Sequence, residues 1–254
     1  MRIARTGLPG LVIALLLGAA PPNAADPTAT QSQFDVAFGL GVTTDYVARG
    51  ISQTSNSAAV QGYVEFDYAN AYAGAWASNV SIGGAGDTEL DLAVGWRPEA
   101  GKFAFDFGYV HYLYLAHVMG PDFGEAYAGV TYALNDNVTF GAKVNFAPDY
   151  AVSGTSATYV EATLDLKLPH DFGISGALGY QQFDATAVGA SYLNGNVGIY
   201  WNMNKWMKLD LRYSGTNLSA VDCANLMSVG NECGSKVLLS LMASTSLSEL
   251  SSKR

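Results

Sequence analysis

The chain has 254 residues and a net charge of −9, and 14% of its residues are charged, against about 25% in typical soluble domains. The acidic balance argues against nucleic acid as a partner, since phosphate binding needs clustered Lys and Arg side chains. A soluble barrel would need a charged outward face, so the low charge content favours an exterior that faces lipid.

The N-terminal segment has the order of a secretory signal peptide. Two arginines are followed by an apolar run from Leu11 to Leu17 and then by small residues from Gly18 to Ala25. The run is too short to cross a bilayer as a helix, which needs roughly 20 apolar residues. We therefore expect residues 1–25 to be removed and residues 26–254 to form one domain.

The mature chain opens with a clear alternation of apolar and polar residues. Phe34, Val36 and Phe38 begin an apolar series, and Asp35 and Ala37 begin the small or charged series between them. Successive side chains of a strand point to opposite faces, so this segment is predicted to be a strand with one apolar face.

The same alternation recurs in later segments and predicts an all-β chain of twelve strands. The Ala-rich third segment, Tyr72 to Val80, leaves its facing open. The apolar faces of the other segments run from Val60 to Tyr68, Leu90 to Trp96, Phe103 to Leu113, Ala128 to Leu134, Val138 to Phe146, Val160 to Leu168, Ile174 to Tyr180, Leu193 to Trp201, Met207 to Tyr213 and Val237 to Leu247.

The predicted connections alternate between short and long. Those after even-numbered strands are short turns centred on Asn70, Glu99, Asp136, His170 and Met203. Those after odd-numbered strands are longer, at Ile51–Ser57, Ser81–Asp87, Val118–Phe123, Pro148–Ser156, Asp184–Gly189 and Ser214–Ser235. Short periplasmic turns, long outer loops and an even strand count are typical of a transmembrane antiparallel β-barrel of the Gram-negative outer membrane.

Aromatic residues fall near the predicted strand ends. Amphipathic rings suit the headgroup boundary of a membrane, so we expect these residues to form two girdles. They are Tyr46, Tyr68, Tyr72, Trp96, Tyr132, Tyr180, Trp201, Trp206 and Tyr213.

The polar faces of the strands carry charges that would point into the lumen. Rings of charged side chains select solutes by charge, and an acidic excess favours cations. The predicted pore-lining residues are Asp45, Arg49, Glu65, Asp67, Glu89, Asp91, Arg97, Asp106, Glu125, Lys143, Glu161, Asp165, Lys167, Lys208, Asp210 and Arg212, with Lys102 also on this face.

The lumen can be open or plugged. Eight strands leave room only for side chains, 16 to 18 leave an aqueous channel, and about twelve lie between these limits. Arg49 illustrates both alternatives, because it could line a constriction at the outer mouth. It could equally form an ion pair with Asp45 or Glu65 that holds the first loop.

Cys223 and Cys233 lie ten residues apart in the longest predicted outer loop. In an exported protein they are predicted to form one disulfide. Zinc ligation by two cysteines is the weaker interpretation, because structural zinc sites use four ligands. A disulfide-closed loop suits either a loop folded into the pore mouth or an exposed epitope.

The segment from Thr43 to Val80 is more specific than strand alternation. Its distinctive residues are Asp45, Tyr46, Arg49, Gly50, Ser52, Gln53, Thr54, Gln61, Gly62, Asp67, Tyr72, Gly74, Trp76, Ser78, Asn79 and Val80. Through these residues the segment resembles the TorF-family porins of proteobacteria, also called Gcw_chp proteins, and this resemblance implies an outer-membrane location and a pore function.

An outer-membrane enzyme is the rival class. His111 shares the apolar face of Tyr109, as a lipid-facing catalytic histidine would, but the residue two positions on is Leu113 rather than a serine. A nucleophile needs a base within hydrogen-bond reach, so the predicted constellation is incomplete and no enzyme is predicted.

The sequence thus predicts a passive porin with mild cation preference. The alternative is a non-conducting barrel with a structural or loop-mediated binding role. The expected partners are outer-membrane lipid, the barrel-assembly machinery during insertion, and small solutes or ions. No cofactor and no metal site are predicted.

Overall fold

The computed structural model describes residues 34–82, 85–116, 122–184, 189–227 and 230–251. The predicted signal peptide therefore lies outside the described residues. No helix within the described ranges has the length and apolar character needed to cross a membrane.

Twelve long strands form the wall, as predicted. They are β1 (Phe34–Thr43), β2 (Ala59–Tyr68), β3 (Ala71–Ile82), β4 (Ala85–Trp96), β5 (Phe103–Tyr114), β6 (Phe123–Asn135), β7 (Val138–Ala147), β8 (Ala157–Lys167), β9 (Phe172–Phe183), β10 (Tyr192–Asn202), β11 (Met207–Thr216) and β12 (Lys236–Ser246). Shorter elements are the two-residue strands Val47–Ala48, Ile51–Ser52 and Glu99–Ala100, a 3₁₀ turn at Tyr150–Val152, and the helices α1 (Ala220–Met227) and α2 (Leu247–Ser251).

The sheet closes on itself. Each strand pairs antiparallel with its neighbours in sequence, and β1 pairs with β12, where Leu40 lies opposite Ala243. A closed sheet has no edge strand, so its backbone donors and acceptors are paired within the wall, as a membrane interior requires. Near the seam the backbone N–H and the hydroxyl of Ser248 in α2 donate to the Asp35 carboxylate, at 3.0 and 2.5 Å.

The apolar face of the alternation is outside. Large apolar side chains such as Leu40, Leu178 and Val237 are 62%, 73% and 65% exposed. Their alternate neighbours face the interior, where small and polar side chains predominate. This is inside-out relative to a soluble barrel and matches a wall surrounded by lipid.

The structure settles the facing of β3 and corrects the aromatic prediction. Tyr72 and Trp76 point inward with Val80, and all three are buried. Tyr72 and Tyr46 are therefore not girdle residues. Tyr68 and Trp96, by contrast, are exposed on the outer surface as predicted.

Several interior tyrosines lie flat on glycines of the neighbouring strand. Tyr72 is the register partner of Gly95, and Tyr200 is that of Gly173. A Cβ atom at either glycine would collide with the tyrosine ring. Part of the glycine content therefore serves close packing inside the wall rather than turn formation.

The connections mostly follow the predicted alternation, and they define two rims. The turn rim carries the short connections, the start of β1 and the end of β12. The loop rim carries the connections after odd-numbered strands, including loop 1 (residues 44–58) and loop 6 (residues 217–235). The connection between β3 and β4 was predicted at Ser81–Asp87 and is shorter, because β3 continues to Ile82 and β4 begins at Ala85.

Candidate functional site

The predicted pore-lining residues lie on the interior side. Those within strands occupy positions that alternate with exposed apolar residues. Three lie outside the long strands: Asp45 and Arg49 in loop 1, and Arg97 directly after β4. The structure separates the set into a closely packed layer at the loop rim and two clusters nearer the turn rim.

Loop 1 folds into the loop-rim end of the lumen as a small hairpin. Val47–Ala48 pairs with Ile51–Ser52, and Arg49 and Gly50 form the tip with φ of +47° and +82°. Two consecutive positive φ values are those of a type I′ turn, the tight turn that suits a two-residue hairpin. Gly50 adopts this conformation readily, whereas Arg49 is an unusual residue there.

The base of this hairpin is tied by a carboxylate. Asp45 accepts hydrogen bonds from the hydroxyls of Ser52 (2.6 Å) and Thr54 (2.8 Å), and Lys236 lies 3.5 Å from its other oxygen. The Tyr46 backbone N–H donates to the Thr54 hydroxyl at 3.0 Å. The hairpin is therefore an ordered element of the interior.

Tyr46 connects the hairpin to the wall. Its hydroxyl donates to Glu89 Oε1 at 2.7 Å, and its ring packs edge-on against Trp76 with 5.2 Å between centroids. Burial and the neighbouring Glu89 and Asp91 carboxylates raise the pKa of the Tyr46 hydroxyl well above its ordinary value. Tyr46 is thus a neutral donor to Glu89.

The tip places Arg49 against the far side of the wall. Its Nη1 lies 3.0 Å from Glu125 Oε1 and its Nη2 lies 2.5 Å from Glu125 Oε2. Nη1 also donates to Gln181 Oε1 at 2.8 Å, and the guanidinium carbon stands 4.4 Å from the centroid of the Tyr159 ring. The prediction that Arg49 holds the first loop through an ion pair with Asp45 or Glu65 named the wrong partner.

Glu125 is itself held in place by the wall. Its Oε2 accepts hydrogen bonds from the Tyr112 hydroxyl at 3.1 Å and from Asn145 Nδ2 at 3.0 Å. Burial by itself would lower the pKa of the Arg49 guanidinium, but the Glu125 carboxylate outweighs that effect and the pKa is raised. Arg49 and Glu125 are therefore a buried charge pair with supporting hydrogen bonds, the arrangement that makes such pairs tolerable.

Loop 6 covers the hairpin from the rim. Cys223 in α1 and Cys233 form the predicted disulfide, and both are buried against Ile51 of the hairpin and Tyr192 of the wall. The backbone N–H of Ser52 donates to the carbonyl of Glu232 at 2.9 Å. Of the two possibilities left open by the sequence, the disulfide-closed loop is the one folded into the mouth.

The loop-rim layer is rich in buried carboxylates. Asp91 is 1% exposed, and neither of its carboxylate oxygens has a hydrogen-bond partner among the described residues. Its cross-strand neighbours are Trp76 and Tyr112. The buried carboxylates of the layer are Asp45, Asp87, Glu89, Asp91, Glu125 and Glu232.

Toward the turn rim one cluster forms around Arg97. Its guanidinium makes a two-point contact with Glu65, at 2.7 and 3.0 Å, and its carbon lies 3.5 Å from the centroid of the Tyr72 ring. Asp67 Oδ1 lies 3.7 Å from Arg97 Nη1, and Asp106 Oδ2 lies 3.7 Å from Arg97 Nε. These four predicted residues are thus one connected group.

The second cluster lies on the opposite wall. Arg212 contacts both carboxylate oxygens of Asp210, at 3.0 and 2.8 Å, and also donates to Asn196 and Ser175. Lys208 lies over the ring of Tyr200 at 4.3 Å. On this side Asp165 and Lys167 toward the turn rim, and Lys143 and Glu161 near the middle of the wall, keep partial or full exposure, so the lumen is wetter away from the loop rim.

Two of the residues that hold Arg49, Gln181 and Tyr159, are not among the predicted pore-lining residues, because that set contains charged side chains only. Gln181 and Tyr159 appear on predicted polar faces, but an amide and a phenol give no charge signal. Lys236, which contacts Asp45, was likewise omitted. Alternation places all three on the interior face and could have nominated them.

His111 faces outward as predicted. Its Nδ1 lies 3.2 Å from the Tyr109 hydroxyl, and its cross-strand neighbours are Leu92 and Gly124. None of these three residues supplies an activated nucleophile.

Both the sequence and the fold of this chain are similar to those of known proteins. Residues 27–244 match a family model described as "Bacterial protein of unknown function (Gcw_chp)". No curated protein matches the sequence. Solved structures with a similar fold include the KdgM porin (8% identity, 82% of this chain and 98% of that chain, TM-score 0.54) and the NanC porin (10%, 84% and 98%, TM-score 0.50).

Proposed function

Because the chain belongs to the Gcw_chp family and folds as a closed transmembrane barrel, we propose that it is an outer-membrane channel for passive diffusion of small solutes or ions, with mild cation preference. The similar fold of two proteins named as porins supports this proposal. The proposal includes the assignment of this chain to the TorF-family porins.

The observation that carries the proposal is the interior. This lumen is lined by charged groups along its length, and rings of charged side chains are what select solutes in channels. The acidic residues concentrate at the loop rim, where Arg49 pairs with Glu125 and Lys236 with Asp45. That excess of negative charge is the reason for proposing cation preference.

The proposed topology places the loop rim outside the cell and the turn rim in the periplasm, as in other outer-membrane barrels. Residues 1–25 would direct export, residues 26–254 would form the mature domain, and the barrel-assembly machinery would insert it. The sixteen predicted interior residues would line the path, and no cofactor or catalytic group takes part.

The alternative, a non-conducting barrel with a structural or binding role, is favoured by one specific observation. The loop-1 hairpin fills the loop-rim end, where Glu125 and Gln181 are each 1% exposed. In the channel proposal this hairpin must move or leave a narrow path beside it. A small cavity beside the hairpin is lined in part by Asp45, Gln61 and Arg212, and it is where such a path would have to widen.

The test is single-channel recording of the refolded mature protein in a planar bilayer with a salt gradient. We expect discrete conductance steps with a cation-favouring reversal potential. A barrel that is folded by heat-modifiable migration and circular dichroism yet never conducts would contradict the channel proposal and favour the alternative.

A further inference from the structure

The groups around Arg49 form a complete receptor for a planar cation. Glu125 offers two carboxylate oxygens side by side, Gln181 offers an amide oxygen, and Tyr159 offers a ring face. A guanidinium binds carboxylates through two parallel N–H donors and stacks on aromatic rings, whereas an ammonium acts as a point charge. The arrangement is therefore selective for the guanidinium shape.

This receptor is built by the wall rather than by its occupant. Glu125 is oriented by Tyr112 and Asn145, which belong to β5 and β7 and do not depend on the hairpin. Removal of the Arg49 side chain would leave the carboxylate in place and without its cation. A buried carboxylate that loses its cation favours any replacement that restores the charge.

A second observation points independently to a cationic ligand. Asp91 is buried with both carboxylate oxygens unpartnered among the described residues, in the same layer as the buried carboxylates of Glu89 and Glu125. One guanidinium therefore serves a layer that contains three neighbouring carboxylates. In addition, Nε of Arg49 makes no hydrogen bond within the described part of the chain, so the occupant leaves one of its donors unused.

We propose that the Glu125–Gln181–Tyr159 group is a binding site for guanidinium-bearing cations, and that Arg49 occupies it as a tethered substitute ligand. The inference rests on the proposed function in that it names the substrate class of the channel. A solute with a guanidinium group displaces the Arg49 side chain, binds at the loop-rim constriction, and then passes toward the wetter, turn-rim half of the lumen.

The test uses Arg49→Asn in the full mature barrel. Asn-Gly is the preferred pair for a type I′ turn, so this variant keeps the hairpin while it vacates the site. Methylguanidinium is added at millimolar concentrations to the refolded variant in a planar bilayer, and methylammonium at equal concentration is the chemical control. We expect methylguanidinium to block the current of the variant at concentrations at least about tenfold lower than methylammonium does, as expected when a charge-assisted bidentate contact is gained.

The matched protein controls are two further substitutions in the Arg49→Asn background. Glu125→Gln removes the receptor carboxylate and is expected to abolish the preference for methylguanidinium. Asp165→Asn removes an interior carboxylate of β8 away from the site and is expected to keep it. Equal block by the two cations, or an unchanged preference after Glu125→Gln, would overturn the inference.

A binding measurement separates this inference from the channel proposal. If no variant conducts, the channel proposal fails, and thermal unfolding of the refolded protein in detergent still reports binding. Methylguanidinium should then stabilise Arg49→Asn more than methylammonium does, and this difference should vanish with Glu125→Gln. Absence of that difference in a folded barrel overturns the binding site.

Discussion

Arg49 and Glu125 lie 76 positions apart in the chain, yet they form a two-point ion pair across the loop-rim end of the lumen. One partner sits at the tip of an inserted loop and the other on the barrel wall. The pair therefore links the position of the loop to the width of the lumen, and the predictions below follow from that link.

Loss of the Arg49 side chain is expected to widen the conducting path. In Arg49→Asn the hairpin loses its charge-assisted contacts to the far wall, so the unit conductance should rise above that of the wild type. The measurement is the distribution of single-channel steps at fixed salt. Arg97→Asn is the control, because Arg97 is also an interior arginine in a two-point ion pair, with Glu65, but lies toward the turn rim; an equal rise in that variant would contradict a specific role for the hairpin.

Reduction of the disulfide is expected to loosen the loop-1 hairpin in the lumen. The Cys223–Cys233 bond closes a short loop, worth about 2–3 kcal/mol in the chain-entropy account, and that loop contacts Ile51 and Ser52 of the hairpin. Dithiothreitol on the loop-rim side should increase the open probability. The double variant Cys223→Ser/Cys233→Ser should show the higher open probability without reductant and should not respond to it; a response there would mean that reductant acts elsewhere.

Cation preference is expected to depend on the loop-rim acids. Glu89 and Asp91 are buried beside the loop-1 hairpin, whereas Glu161 and Asp165 are partly exposed, so that water screens their charge more strongly. Glu89→Gln/Asp91→Asn should therefore shift the reversal potential toward zero further than Glu161→Gln/Asp165→Asn does. Equal shifts would show that selectivity is spread along the lumen.

Two buried carboxylates of the same layer are expected to have opposite effects on stability. Asp91→Leu replaces an unpartnered buried polar group by an apolar side chain of similar size and should raise the free energy of unfolding by about 1 kcal/mol. Glu125→Gln leaves Arg49 buried without its counter-ion and should lower it by about 3–5 kcal/mol. Urea unfolding of the refolded barrel in lipid vesicles measures both; a stabilising Glu125→Gln would contradict the ion-pair account.

The glycine under Tyr200 is expected to be sensitive to side-chain size. The three atoms nearest to a Cβ placed at Gly173 all belong to the Tyr200 side chain, so Gly173→Val should lower barrel stability by about 1–3 kcal/mol through overpacking. Gly173→Val/Tyr200→Ala should recover part of that loss, since the obstructing ring is gone. The urea midpoint checks both variants, and no recovery in the double variant would show that the backbone rather than the ring resists the change.

Alternation in the sequence was sufficient to predict the barrel. Residues such as Leu40, Leu178 and Val237 are apolar because they face lipid, and the period of two along a strand assigns every neighbouring residue to the interior. Turn chemistry at positions such as Asn135 to Asn137 marked the short connections. Strand number, the facing of the strands other than the Ala-rich β3, and the Cys223–Cys233 disulfide could be predicted because each depends on local pattern or on residues close in the chain.

The partners inside the lumen were decided only by the tertiary structure. Arg49 could have paired with any interior acid, and its nearest candidates in sequence, Asp45 and Glu65, bind Lys236 and Arg97 instead. A strand pattern gives the face of a residue but not its angular position around the barrel or the depth to which a loop folds inward. Contacts across a lumen join strands that are distant in sequence, so closure of the sheet and insertion of loop 1 are what bring Arg49 to Glu125.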